Sequence, residues 1–327
     1  MKKLTLIFSA IVLLLSSCNN NSTKKSNGID KISLRFDWTT NMSFFGDVVG
    51  MNDFAKANNI KLTCLQAGEG VDPIKMVISG TDQIGITTFD KLLAANEKGA
   101  DLVAIGFINN ASPTVFLTRK SEKFSEPKDF EGKTVGIMPG GSTEFVYRGF
   151  IKKTGVDPKK IKEIPAGFDL TGFINKLYNV KLAFIYVENV ALDEQGFEYN
   201  MIEPRKFGVV FPGRVYFAKR NFVENNKDLV QRFINTVLGG WESSFKNPDN
   251  AAKKLKAYDK SIDQVRERKS FDKGIPYFNG YNNQLLMVDE SKLEEQVSLL
   301  KEVGLIQSTN YENAVNLSFV KKYYEGK

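Results

Sequence analysis

The sequence predicts an α/β protein of two lobes, and three observations carry that reading. From residue 31 to about residue 108, short β-type runs alternate with helix-type runs across glycine-marked turns. The same rhythm restarts at residues 132–150, GKTVGIMPGGSTEFVYRGF, after the polar segment SEKFSEPKDFEG. The chain has 327 residues, more than a single hydrophobic core usually serves.

Lys31 to Trp38 alternate as a first strand and end in the polar turn Thr39-Thr40-Asn41. Phe44, Val48, Met51 and Ala55 then fall at helical spacing. Ile60 to Leu65 make a second strand, closed by Gly68-Glu69-Gly70. Asp72 and Pro73 suit an N-cap and first helical residue, and Gly80 a stop. Gln83 to Thr87, Leu102 to Ile108 and Thr114 to Thr118 read as further strands, with a helix after Thr88-Phe89-Asp90. Such alternation argues for a parallel sheet, in which ligands bind beyond the carboxyl ends of the strands. The polar clusters after these strands should therefore converge on one edge.

In the second half, Lys133 to Met138 read as a buried strand. Pro139, Gly140 and Gly141 break it, and Ser142 and Thr143 suit a helix start. A glycine turn feeding a helix N-terminus aims free N–H groups outward, as one wall of a ligand site; a plain αβ connection is the alternative. Lys162 to Pro165 and Leu182 to Val187 are strands, the latter followed by Glu188-Asn189 and a helix. Short strands follow around Met201 and at Gly208 to Phe211, then Pro212-Gly213 and a returning strand, Arg214 to Ala218. The rest is mainly helical, with apolar faces at Leu229, Phe233, Val237 and at Leu293, Val297, Leu300.

The first residues point to export. Lys2 and Lys3 precede an apolar run, Leu4 to Leu15, and then Leu15-Ser16-Ser17-Cys18. The run is too short to span a bilayer well. The tetrapeptide resembles a bacterial lipobox, which implies a signal peptide over residues 1–17 and a lipid on Cys18; a secretory signal with a chance cysteine is the alternative. Residues 18–30 then form a polar, lipid-anchored linker.

Cys64 is the only other cysteine and suits a buried strand thiol, so no intrachain disulfide is expected. The chain has no histidine, which removes Ser-His-Asp and Cys-His hydrolase machinery and most zinc sites. No metal and no cofactor are expected. The formal charge of +7 is spread along the chain without a basic, aromatic-interleaved stripe, so nucleic acid is not an expected partner.

Three stretches together resemble one known family. DFEGKTVGIMPGGSTEF is similar to the motif that opens the second lobe of SsuA/THI5-like solute-binding proteins, which serve ABC importers. DPIKMVISGTDQIGITTFDKLL resembles that family's helix, Gly-x-Asp and small-residue strand. FDLTGFINKLYNVKLAFIYVEN resembles its second-lobe helix, strand and acidic turn. The resemblance covers about residues 31–260. Tyr178-Asn179-Val180-Lys181-Leu182-Ala183 departs from the family's usual Gly-x-(Val/Ile)-Asp-Ala. The start containing Trp38 and the Tyr186-Val187-Glu188 turn are closest to the binders of thiamine-precursor pyrimidines and of riboflavin.

The resemblance implies a type II periplasmic-binding-protein fold, each lobe a mixed sheet flanked by helices, with the ligand between the lobes. It places a first lobe over 31–117 and a second over 118–213. Residues 214–327 then supply a return strand and C-terminal helices to the first. Hinge strands are expected near 116–120 and 212–218. It implies a monomeric, lipid-anchored receptor outside the cytoplasm that delivers a small heteroaromatic nutrient to a permease and its ATPase. The family's enzyme branch makes the pyrimidine with a histidine and a cysteine cluster, and this chain has neither.

Trp38, Phe44, Phe45, Phe89 and Tyr186 are candidates to stack on a flat ring, with core packing as the alternative. Thr87, Thr88, Ser142 and Thr143 could bond a ligand or merely cap helices. Asn41 and Asn189 can donate and accept at a ring edge. Glu69, Glu144 and Glu188 each follow a strand. Carboxylates there would repel an anion and hold a ligand with N–H donors, although Glu144 could instead complement its own helix dipole.

Overall fold

The computed structural model describes residues 28–68 and 70–327. The signal segment with Cys18, most of the linker, and Glu69 lie outside the described residues. Among the described residues, ten strands form two five-stranded sheets. The first contains β1 (Asp30–Arg35), β2 (Ile60–Leu65), β3 (Ile84–Thr88) and β4 (Leu102–Phe107). The second contains β5 (Thr114–Arg119), β6 (Thr134–Ile137), β7 (Lys162–Pro165), β8 (Val180–Phe184) and β9 (Tyr199–Ile202). The chain then returns to the first sheet as β10 (Arg214–Lys219).

The orders are β2-β1-β3-β10-β4 and β7-β6-β8-β5-β9. β1 runs parallel to β2 and β3, and β6 parallel to β7 and β8. β10 is antiparallel to β3 and β4, and β5 to β8 and β9. The sheets are thus mixed, where alternation alone argued for parallel ones, and the reason lies in the connections. β5 and β10 are the strands that follow a crossing between sheets. Each enters at the edge where the parallel strands end, so it can only run back the other way. That edge of each sheet carries the loops after its parallel strands, and the two edges are joined by residues 108–113 and 203–213.

This moves two sequence expectations. β5 lies wholly in the second sheet, so the first half ends after β4 rather than at residue 117. The links are the irregular segments on either side, and β10 is an ordinary strand of the first sheet rather than a hinge. No strand forms over 208–211. Gly208 ends a short 3-10 turn, Pro204–Phe207, and the chain then runs beside the other crossing, with Ser112 N–H donating to the Phe211 carbonyl (3.0 Å).

Local sequence explains most elements. Asp72 caps the helix Pro73–Ser79 by accepting from Ile74 N–H, and Gly80 ends it in a left-handed conformation. β1 stops at Arg35, whose side chain pairs with Asp82 (2.8 Å), which leaves Asp37 and Trp38 in the following loop. The helix Lys227–Lys246 packs so closely on the segment beginning at Phe45 that a Cβ on Gly240 would lie 2.0 Å from the Gly46 carbonyl oxygen. No helix among the described residues is long and apolar enough to cross a membrane.

Candidate functional site

Where the two facing edges meet, side chains from both sheets come together. Trp38, in the loop after β1, and Phe168, in the loop after β7, meet with ring centroids 5.3 Å apart. They keep 40% and 48% exposure, so they form a rim rather than part of the core. Deeper in, Arg214 opens β10 and is bidentate to Asp37, at 2.8 and 2.7 Å. Its guanidinium lies 4.8 Å over the ring of Phe44. Burial works against the Arg214 charge, but Asp37 and its other electronegative neighbours outweigh it and hold its pKa above the ordinary value.

Tyr186, from the loop after β8, is buried on the second sheet's side of this pair. It packs against Phe184 and Phe278, with centroids 6.3 and 5.8 Å away. Burial pushes its hydroxyl up to about 12, against the pull of Arg214. Glu188 follows at the start of the helix Glu188–Glu194 and is buried. Its carboxylate accepts from Phe184 N–H (2.8 Å). Burial raises its pKa, opposed by that bond and by the charge of Lys181. Lys181 is buried too, donates to the Gly167 carbonyl (2.6 Å), and is lowered by burial. The second sheet's edge therefore holds a desolvated carboxylate and a desolvated amine near the Phe168 loop.

Below Arg214 lies a second buried carboxyl. Asp47 is fully buried in the helix Phe45–Val49. One of its oxygens accepts from the Tyr216 hydroxyl, which in turn accepts from Trp241 Nε1 (3.0 Å). Its other oxygen has no hydrogen-bond partner. Burial pushes its pKa up to about 7, against the Tyr216 bond and the Arg214 charge. Cys64 is buried on β2 with its sulfur 3.8 Å from the Asp47 carbonyl, as a strand thiol should be.

The other predicted site residues divide. Thr88 faces Arg214 across the β3–β10 ladder, and Thr87 is buried beside it opposite Val215. Phe44 is fully buried and stacked on Phe36 at 3.9 Å, so it supports Arg214 from below and has no free face. Phe45 and Phe89 are core residues against Phe271 and Phe107. Asn41 is held in its own turn. It accepts from Ser43 N–H and hydroxyl at 2.9 and 2.6 Å and donates to the Thr39 carbonyl at 3.0 Å.

Gly141, not Ser142, is the N-cap of the helix Ser142–Thr154, and Ser142 and Thr143 occupy its first turn. Glu144 turns back on that helix start, accepting from Gly140 N–H (2.8 Å) and pairing with Arg148 (3.0 Å). It complements its own dipole, the alternative reading above. Asn189 is buried against β9, its amide nitrogen 3.5 Å from Met201 sulfur.

Sequence reasoning missed Asp37, Phe168 and Arg214. Asp37 is one residue before Trp38, Arg214 directly follows Pro212-Gly213, and Phe168 sits in the Ala166-Gly167 turn after β7. A charged or aromatic residue beside each predicted turn was the available signal. Among the described residues, no group of three or more His, Cys, Asp or Glu is arranged to hold a metal ion. Two surface hollows, of about 170 and 490 Å³, open elsewhere, beside Arg220 and Asn316 and beside Phe54 and Tyr323.

Residues 50–251 match a family model described as NMT1/THI5 like. A formylaminopyrimidine-binding protein of Halalkalibacterium halodurans is 21% identical over 244 residues, covering 73% of this chain and 74% of that protein. A 4-amino-5-hydroxymethyl-2-methylpyrimidine phosphate synthase of Schizosaccharomyces pombe is 19% identical over 238 residues, covering 69% and 68%. Among solved structures, the periplasmic aliphatic sulphonate binding protein SsuA of Escherichia coli superposes with a TM-score of 0.72. It is 14% identical and covers 88% of this chain and 92% of that one. The fold is that of periplasmic binding proteins.

Proposed function

The chain belongs to the NMT1/THI5-like family, and on that premise we propose that it is the receptor of an ABC importer, holding a small pyrimidine-type heteroaromatic between its two sheets. It is exported, tethered by a lipid on Cys18, and passes its ligand to a permease driven by an ATPase. The observation that carries this reading is the meeting of Trp38 and Phe168 from opposite sheets, above Tyr186 and the Asp37–Arg214 pair. Aromatic faces suit a planar ring at low entropic cost. Asp37 and Glu188 are carboxylates that would accept from the N–H groups of an aminopyrimidine. A relative named for binding formylaminopyrimidine supports the same ligand class. Riboflavin, a larger flat ring system, is the alternative within that class.

A second reading, an anion receptor for sulfonates or nitrate, gains from Glu144. Folded back on Gly140 and Arg148, it no longer counts among carboxylates that repel an anion. It loses from Arg214, whose charge Asp37 already neutralises at two oxygens. Pyrimidine synthesis is the poorer reading, since the chain has no histidine.

Calorimetric titration separates these. A thiamine-type aminopyrimidine should bind at micromolar concentration or tighter, and an alkanesulfonate or nitrate should give no heat. Heat from a sulfonate alone would establish the anion reading, and a flat titration with pyrimidines and riboflavin alike would remove the heteroaromatic class.

A further inference from the structure

The turn that carries Phe168 is held by few bonds. Before it, Ala166 N–H donates to the Ile137 carbonyl (2.7 Å). After it, Asp169 accepts from Thr171 N–H (2.8 Å) at the start of the helix Thr171–Ile174. Between those anchors, Gly167 and Phe168 take part in one hydrogen bond among the described residues, from the Lys181 ammonium to the Gly167 carbonyl (2.6 Å). The opposite rim is fixed differently. The Trp38 carbonyl accepts from Ala67 N–H (3.1 Å), and Thr39 and Thr40 beside it bond Asn41 and Gln66.

Lys181 is a costly residue for its place. It lies inside β8, in register with Leu117 on one side and Gly136 on the other. Ala183, two residues on and so on the same face of the strand, belongs to the core. An apolar side chain would suit such a position, whereas an ammonium must give up water there. Burial accordingly lowers the Lys181 pKa, opposed by the charges of Glu188 and Asp169. What the amine makes in return is a short, charge-assisted bond to a neutral carbonyl of a loop. A side chain rooted in the sheet thereby ties that loop to the rigid part of its lobe.

We infer that Lys181 is a positioning residue for the bound ring: by holding the Gly167 carbonyl it sets Phe168 where it meets Trp38, and so sets how tightly the rim covers the ligand. The inference rests on the cleft being a site for a flat ring. Lys181 acts through Phe168 and makes no contact with the ring itself.

The test uses the full chain, 4-amino-2,5-dimethylpyrimidine as the probe, and a cycle of Lys181→Met, Phe168→Ala and the double variant, with melting curves to show that each is folded. Methionine nearly matches lysine in length and cannot donate. Where Lys181→Met does not fold, Lys181→Gln, whose amide stops one atom short, takes its place in the cycle. Dissociation constants from calorimetry should rise about two- to tenfold in each single variant, the range one aromatic contact commands. The double variant should bind no more weakly than Phe168→Ala, because a residue that acts through another adds nothing once the other is gone. Without ligand, acrylamide quenching of the exposed Trp38 should increase in the Lys181 variant as it does in Phe168→Ala. A folded Lys181 variant with wild-type affinity, or with wild-type quenching, would overturn the inference. So would losses that multiply in the double variant, and the pyrimidine reading would survive all three results. A wild type that does not bind the probe would end both.

Discussion

Asp47→Asn should remove a specific loss of stability that the wild type suffers as pH rises. Asp47 is fully buried, and one of its oxygens has no partner. Its pKa stands at about 7, against 3.8 without the fold. The folded state therefore binds this proton more tightly than the unfolded chain does. Below about pH 4 the group is protonated in both states and costs nothing. Between about 4 and 7 the unfolded state ionises first, so stability falls as pH rises, and above 7 the loss is complete. A shift of about three pH units at ~1.4 kcal/mol each gives a total of about 4 kcal/mol. Asparagine keeps the acceptor for the Tyr216 hydroxyl and has no proton to lose. Urea unfolding of both proteins at pH 4.5, 6 and 8 isolates the term as a difference, since the other titrating groups are shared. The difference should move in favour of Asp47→Asn by several kcal/mol from the lowest pH to the highest. A difference that stays flat would refute the reasoning, and one of opposite sign would mean that Asp47 is charged and paired in the folded protein.

Three further outcomes follow from the same geometry. Of the two tryptophans, Trp38 is on the rim and Trp241 is buried against Phe278, so a ligand-induced change in emission should vanish in Trp38→Phe and survive in Trp241→Phe. Glu188→Gln should weaken binding of an aminopyrimidine by about 2–5 kcal/mol. Because burial raises the Glu188 pKa, wild-type affinity should also fall on acidification at a higher pH than an ordinary glutamate would dictate, and titrations from pH 5 to 8 should find the variant insensitive. Gly213→Ala would drive a methyl into the backbone of Asn109 and should cost about 1–3 kcal/mol in urea unfolding.

The sequence was most legible where one residue type has one job. Asp72, Pro73 and Gly80 marked the two ends of a helix, and Ile60 to Leu65 marked a strand to the residue. The direction of β5 and β10 was not legible, because it follows from where the chain re-enters a sheet rather than from local pattern. Of the ring-binding candidates, Trp38 and Tyr186 reached the edges that face each other, while Phe44, Phe45 and Phe89 were taken up by the core. Aromatic residues after a strand serve both ends, and only the return of the chain decides which. Glu144 and Asn41 went to the nearest free N–H groups, as short-range capping usually wins over a distant ligand. Asp37 and Arg214 are 177 residues apart in sequence, and nothing in either neighbourhood announces the other.

A crystal structure of the protein grown with 4-amino-2,5-dimethylpyrimidine tests the central claim most directly. The ring should lie between the two sheets, against Trp38 and Tyr186, with its amino edge toward the Asp37 and Glu188 carboxylates. A ring found in the hollow beside Phe54 and Tyr323, or none between the sheets at saturating concentration, would contradict it.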